Sequence, residues 1–120
     1  DTMACLGRAR VPIVLHCFEG GEREAREAAE RGYYLGLAGN VTYKNSRTAE
    51  ILGMLNPERL LVETDAPYLS PQAVRSKRNE PKYVVHTARF VAERIGMGAE
   101  EFGVLTSRNA RDVFGLPLEV

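Results

Sequence analysis

The 120-residue chain is poor in the features that define several protein classes. It has two cysteines, no tryptophan and no excess of charge, because 16 basic residues balance 16 acidic ones. Cys5 and Cys17 are too few for a disulfide framework and lack a CxxC spacing, which is typical of reduced thiols in a cytoplasmic protein. No apolar run approaches the roughly 18–20 residues of a membrane span, so we expect no membrane partner.

The remaining composition is that of an ordinary globular protein, with 44% apolar and 27% charged residues. A neutral total charge neither favours nor excludes nucleic acid, since local patches attract phosphates. The chain begins with Asp1 and a helix-like stretch that Pro12 closes. We interpret that start as a cut in a longer protein.

Strands and helices alternate along the sequence. An almost uninterrupted apolar run at residues 13–18 is typical of a strand covered on both faces. The alternation predicts βαβ units and a parallel sheet, either a small open α/β sheet or a piece of something larger. The predicted elements are strands at 13–18, 33–38 and 60–65, and helices at 22–31, from a cap at Asn45 or Ser46 to about 55, at 81–95, at 99–105 and at about 107–114.

Two polar residues stand at the carboxyl ends of predicted strands. His16 ends the first strand and Asp65 the third, and such positions face the site-forming loops of parallel α/β folds. An imidazole and a carboxylate can both bind a divalent metal, and Asp65 could act as a general base. On spacing alone a hydrogen-bonded structural role is the more common one for such a His16, and Asp65 could equally initiate a turn. Two ligands alone do not hold a metal.

Two neighbours of these residues have more modest interpretations. Glu63 lies two residues before Asp65, so strand alternation predicts that both side chains point to one side. A paired-carboxylate site is possible, but a strand-end Glu more often binds a backbone group or an Arg. Cys17 follows His16 directly, so strand alternation predicts that its side chain points away from the rim formed by the carboxyl ends of the strands.

The long loop at 66–80 and the helix after it carry a local excess of positive charge. Basic clusters of this kind can contact phosphates, although most are solvated and have no partner. Tyr68 and Tyr83 could stack on bases or pack beneath the loop. The basic residues are Arg75, Lys77, Arg78, Lys82 and Arg89.

Five ordered segments resemble the motifs of the TatD family of metal-dependent deoxyribonucleases. The most specific pair is residues 61–69 (LVETDAPYL) followed by residues 75–81 (RSKRNEP). The resemblance covers essentially the whole chain. The other segments are residues 16–20 (HCFEG), 37–45 (LAGNVTYKN) and 106–116 (TSRNARDVFGL).

The resemblance implies a role for each candidate residue. His16 would be a metal-ligand histidine on the sixth strand of a TIM-like (β/α)8 barrel, and Asp65 a ligand and general base on the eighth. Two divalent ions (Mg or Mn, with Zn as an alternative) and a DNA substrate are implied for the full-length protein. The loop residues Arg75, Lys77, Arg78 and Asn79 would border the DNA-binding cleft.

The departures from the family pattern concern the metal ligands. Relatives have an HxH pair on the first strand, a Glu on the fourth and a His on the fifth, and none has a counterpart here. We therefore interpret residues 1–120 as the C-terminal half of the barrel, inactive alone. The alternatives are a hydrolase of another ester, such as aminoacyl-tRNA, and a non-catalytic fragment that self-associates through exposed strand edges.

Overall fold

The computed structural model describes residues 12–115, so Cys5 and the predicted helical stretch before Pro12 lie outside the described residues. Within that range, strands and helices alternate as the sequence predicts. Short 3-10 turns fill several of the connections. The elements are β1 (Val14–Leu15), α1 (Glu22–Glu30), β2 (Tyr34–Leu37), α2 (Arg47–Glu50), β3 (Leu60–Val62), α3 (Val84–Ile95) and α4 (Ala99–Phe114).

The three strands form one parallel sheet in the order β1-β2-β3. Val14 pairs with Tyr34, and Leu35 pairs with Leu60, so the strands run in chain order from one edge to the other. All four residues of β2 are buried. A central parallel strand covered on both faces is expected to be apolar throughout. Because the three strands are parallel, their carboxyl ends all lie at the same end of the sheet.

Helix α1 shows how closely the local sequence dictates the local fold. It buries Ala25 and Ala28 against the core, while i,i+4 ion pairs such as Glu22–Arg26, at 2.9 Å, stay on the solvent side. Gly32, just beyond its last turn, has a φ of +70°, the left-handed conformation that glycine adopts at low cost. The predicted helix and its glycine stop are confirmed.

The core lies between the sheet and the helices. Helices α3 and α4 pack on each other, and α4 also packs on β3. The polar side chain of Asn109 on α4 enters this layer and donates to two backbone carbonyls near the start of β3. The core consists of Phe18, Ala25, Ala28, Tyr33, Leu35, Leu37, Val41, Leu52, Leu60, Val91, Ala92 and Phe102.

Two helix predictions are wrong in extent. The two short helices predicted at 99–105 and 107–114 are a single helix, α4. Thr106 does not interrupt it, because its hydroxyl finds a hydrogen-bond acceptor within the helix, the Phe102 carbonyl one turn earlier, at 3.0 Å. Helix α2 begins after Ser46, one of the two predicted caps, but ends at Glu50, and a 3-10 turn at Leu52–Met54 replaces its continuation.

The strands at the edges are shorter than predicted at their carboxyl ends. β1 ends at Leu15 and β3 at Val62, and the residues that follow leave the extended conformation. Cys17 has a φ of +53° and Asp65 a φ of +51°. These left-handed residues end the strand alternation where the candidate site begins. None of the helices within residues 12–115 has the length and apolarity to cross a membrane.

Candidate functional site at the carboxyl ends of the strands

The connections that leave the three strands form one rim. His16 follows β1, and Glu63 and Asp65 follow β3. The chain between β2 and α2 contributes Gly39 and Asn40, both buried in a 3-10 turn. Parallel pairing alone brings these segments together, although about twenty residues separate each from the next along the chain.

A carboxylate bridge joins the first and third of these segments. Glu63 Oε2 contacts His16 Nδ1, and Glu63 Oε1 accepts a hydrogen bond from the Cys17 backbone N–H at 2.5 Å. Gly36 of β2 lies beneath this carboxylate, because a Cβ placed there would be 2.4 Å from Oε1. Both oxygens of Glu63 are therefore engaged, while 64% of the His16 side chain is exposed.

Cys17 lies among the acidic residues of the rim, and the prediction that it points away is wrong. Its Sγ is 3.8 Å from Asn40 Oδ1, and Asn40 in turn donates to Glu19 Oε1 at 2.6 Å. Burial, and then the charges of Glu19, Glu63 and Asp65, raise the pKa of the Cys17 thiol. The positive φ at Cys17 breaks the alternation on which the prediction depended.

Asp65 occupies the turn after β3. Its backbone carbonyl accepts from the Tyr68 N–H at 2.8 Å, while the side-chain bond of this turn comes from Thr64, whose Oγ1 accepts from the Ala66 N–H at 3.2 Å. Among the described residues the Asp65 carboxylate makes no hydrogen bond of its own. The turn therefore does not depend on that carboxylate. A turn-initiating Asp65 would use its carboxylate as a hydrogen-bond acceptor within the turn, and the structure of residues 12–115 does not show this. Glu63 and Asp65 do not share a strand alternation, because β3 has already ended.

The four predicted substrate-binding residues of the loop separate into two kinds. Arg75, Lys77 and Arg78 are exposed, and the Arg75 guanidinium lies 3.9 Å from the centre of the Tyr43 ring. Asn79 is only 3% exposed. Its Nδ2 donates to the carbonyls of Thr64 and Tyr68, so this amide holds the turn that carries Asp65. The structure places Asn79 beneath the loop and the three basic side chains on its outer surface.

The two tyrosines that flank the basic loop also differ in how far their side chains are exposed. Tyr68 is 71% exposed, three residues beyond Asp65. Tyr83 is half-buried and packs beside His86, with ring centroids 5.9 Å apart. Of the two, Tyr68 is the one whose ring is available to a ligand.

The loop is also fastened to the turn after β2. A Cβ at Gly39 would lie 2.1 Å from the Leu69 carbonyl oxygen and 2.8 Å from the Pro71 nitrogen, so only glycine admits this backbone approach. The Tyr43 hydroxyl donates to the Ser70 carbonyl at 2.7 Å. These contacts fix the start of the loop against the rim.

The donor chemistry of the rim suits a divalent cation, but the described donors do not complete a site. Imidazole and carboxylate are suitable ligands for such ions. Between residues 12 and 115, however, no group of three or more His, Cys, Asp or Glu side chains is arranged to hold a metal ion. His16 and Asp65 therefore have no third side chain of this kind grouped with them among the described residues.

Comparison with known proteins identifies the family of the chain. The family model of TatD-related DNases matches residues 1–115. An uncharacterized metal-dependent hydrolase of Bacillus subtilis, YabD, is 40% identical over 90% of this chain and 43% of its own length. A Citrobacter rodentium protein named 3'-5' ssDNA/RNA exonuclease TatD is 39% identical over 88% of this chain and 43% of its own.

A solved structure gives the same result at the level of the fold. The TatD homolog YjjV of Escherichia coli superimposes with a TM-score of 0.79 and 28% identity, over 87% of this chain and 40% of that one. The chain thus spans about two fifths of the length of the relatives it matches. Its α/β fold with a parallel sheet is part of a TIM-like hydrolase barrel, and the chain belongs to the family of TatD-related DNases.

Proposed function

We propose that residues 1–120 form the C-terminal half of a TatD-type barrel, with β1, β2 and β3 as its sixth, seventh and eighth strands. In this proposal the complete protein is a metal-dependent hydrolase of DNA phosphodiester bonds, and these residues alone are inactive. Family membership supports the proposal, and so does the incomplete set of metal-binding side chains among the described residues.

The observation that carries the proposal is the placement of His16 and Asp65 on one rim. They follow the two outer strands of a parallel sheet, and Glu63 contacts His16 on one side. The charges of both Glu63 and Asp65 contribute to raising the pKa of the Cys17 thiol. His16 and Asp65, 49 positions apart, thus lie with Glu63 at the end of the sheet where barrel enzymes build their sites.

His16 and Asp65 would each offer one donor to a divalent ion, Mg or Mn with Zn as an alternative, in a site of two ions completed by residues outside 12–115. Such an ion, when bound, supplies Lewis acidity for attack on a phosphoryl group. Asp65 would accept the proton of the attacking water, a role open to a carboxylate that no protein hydrogen bond among the described residues engages.

The loop would supply the contacts to the nucleic acid. Arg75, Lys77 and Arg78 are exposed beyond the turn that carries Asp65, where cations can neutralise phosphates. The exposed ring of Tyr68 can stack on an unpaired base, which favours single strands. The name of the Citrobacter relative, a 3'-5' exonuclease of single-stranded DNA and RNA, supports the same substrate class.

The test compares two substitutions of a carboxylate by an amide, made in the complete protein in which residues 1–120 occur. Asp65→Asn removes the base and one ligand and should lower Mg- or Mn-dependent cleavage of single-stranded DNA by at least about 100-fold. Asp112→Asn makes the same change at an exposed position on α4 and should leave the rate unchanged.

Unchanged DNA cleavage in Asp65→Asn would overturn the role of Asp65. Absence of DNA cleavage by the wild-type protein, together with metal-dependent release of amino acids from charged tRNA, would overturn the substrate and favour another ester.

A further inference from the structure

The carboxylate of Glu63 has a position that neither the strand pattern nor the proposed reaction explains. We infer that Glu63 is a positioning residue that fixes His16 as its Nδ1–H tautomer and thereby leaves Nε2 as the ring nitrogen available to a ligand. The inference rests on the proposed role of His16 as a metal ligand, but its central claim concerns the proton on the imidazole ring.

The first step is that Glu63 is held from two sides. Its Oε1 accepts the backbone N–H of Cys17, the residue directly after His16. Gly36 leaves the space in which the carboxylate lies, since a Cβ there would come within 2.4 Å of Oε1 and 2.9 Å of the carboxyl carbon. The strand between His16 and Glu63 is therefore shaped to let the carboxylate reach across it.

The second step concerns the other oxygen. Glu63 Oε2 faces His16 Nδ1, and an ionised carboxylate can only accept a hydrogen bond. The neutral ring must then carry its proton on Nδ1, which makes Nε2 the nitrogen with a free lone pair. Carboxylates that receive the N–H of a metal-binding imidazole set ring orientation and tautomer in this way.

The alternative is that Glu63 serves only to tie the β3 loop to the end of β1. A purely structural tie would hold Cys17 and the loop but would not dictate which nitrogen of His16 is protonated. The tautomer therefore separates the two roles, and it can be read without metal and without activity.

The Glu63→Gln variant gives the sharpest change. Cys17 N–H still requires an oxygen acceptor, so the amide oxygen should take the place of Oε1 and the NH2 group should face His16 Nδ1. Because that NH2 can only donate, Nδ1 becomes an acceptor and the proton moves to Nε2. We expect the wild-type ring to be Nδ1–H and the Glu63→Gln ring to be Nε2–H.

The measurement is the 15N chemical shifts of histidine in the complete, metal-free protein at about pH 8, where imidazole is mostly neutral. The His16→Asn spectrum assigns the signal. His86, the other histidine of these 120 residues, lies beside Tyr83 and is the internal control, with no change expected. Gly36→Ala provides a second variant, because its methyl group should displace the carboxylate and leave a mixture of tautomers.

An Nε2–H tautomer in the wild-type protein would overturn the inference by itself, even if neither variant folded. An unchanged Nδ1–H tautomer in a folded Glu63→Gln variant would also overturn it. As a second readout, Glu63→Gln should weaken Mn2+ binding by about 10–100-fold. Unchanged Mn2+ affinity in His16→Asn would instead overturn the proposed ligand role of His16 while the tautomer result stood.

Discussion

Strand β3 is held at both ends by an asparagine amide, but the two asparagines lie in different surroundings. At the amino end, Asn109 Nδ2 donates to the carbonyls of Pro57 and Leu60, each at 2.9 Å. Asn109 belongs to α4, a helix of 16 residues whose Phe102 is fully buried. The hydrogen bonds at this end are therefore added to a surface that apolar packing already holds.

At the carboxyl end, Asn79 Nδ2 makes the equivalent pair of bonds to Thr64 at 2.5 Å and Tyr68 at 2.7 Å. Asn79 belongs to an irregular segment rather than to a helix. The Ser70 hydroxyl donates to the Lys77 carbonyl, and the Gln72 N–H donates to the Thr42 hydroxyl, so further polar ties hold the same loop. The loop around the candidate site thus depends on individual polar contacts.

The difference between the two ends indicates that the global stability of the sheet and the local geometry of the candidate site depend on different interactions. Apolar burial contributes roughly 25 cal/mol per Å2 and does not depend on one geometry, whereas a hydrogen bond contributes about 1 kcal/mol only when its geometry is met. The helix side should therefore govern global unfolding, and the loop side should govern the local placement of Asp65. Three sets of substitutions test this division.

The largest effect is expected from Phe102→Ala in the helix layer. Phe102 has no exposed surface, and truncation of a buried Phe leaves a cavity that costs about 3–5 kcal/mol. Val104→Ala on the same helix, where Val104 is 72% exposed, is the control and should change stability by less than about 0.5 kcal/mol. Urea unfolding followed by circular dichroism measures both. Equal effects would contradict the assignment of Phe102 to the core.

The next effect is expected from Gly39→Ala at the rim. The new methyl group would meet the Leu69 carbonyl oxygen at 2.1 Å, and backbone atoms cannot turn aside as a flexible side chain can. We expect a cost of about 3 kcal/mol, with the loop at 66–80 displaced from the rim. The control is Gly103→Ala on α4, where a Cβ meets no atom within 4 Å and alanine should stabilise the helix by up to about 1 kcal/mol.

Hydrogen exchange should locate the damage of Gly39→Ala in the loop rather than in α3 or α4. Wild-type exchange rates in the loop of that variant would show that the close approach at Gly39 is not what fastens it.

The same division explains how much the sequence predicts. Apolar periodicity and helix-end residues are local signals, so the alternation of strands and helices and the stop at Gly32 are predicted correctly. Ser46 is one of the two predicted caps, and the last helix is wrongly divided in two. The positive φ at Cys17 carries no local signal, and the one at Asp65 carries only a weak signal, since aspartate tolerates the left-handed conformation better than most residues do. Tertiary contacts such as the bond from the Cys17 N–H to Glu63 impose them, and the predicted strands therefore run too far.

The candidate site follows the same rule. His16 and Asp65 can be selected because strand-end polar residues of a parallel sheet share one edge. The pairing of Glu63 with His16 could not be predicted from spacing, because it depends on the register of three strands and on the space above Gly36. A glycine within the buried run of β2 was the available signal, since such glycines often mark a close approach. The sequence places Asn79 in the loop, but nothing in its neighbourhood predicts that its side chain is buried.

The smallest effect, and the one that compares the two ends of β3 directly, is expected from paired amide truncations. Asn79→Ala and Asn109→Ala each remove two hydrogen bonds to backbone carbonyls, at a cost of about 1–2 kcal/mol. Because Asn109 sits in the packed layer, its loss should lower the free energy of global unfolding. Loss of Asn79 should instead raise hydrogen exchange at 64–70 while α4 stays protected. If both variants lowered global stability equally and left the loop's exchange unchanged, the carboxyl end of β3 would belong to the same cooperative unit as the helix layer, and the division drawn from the two asparagines would be wrong.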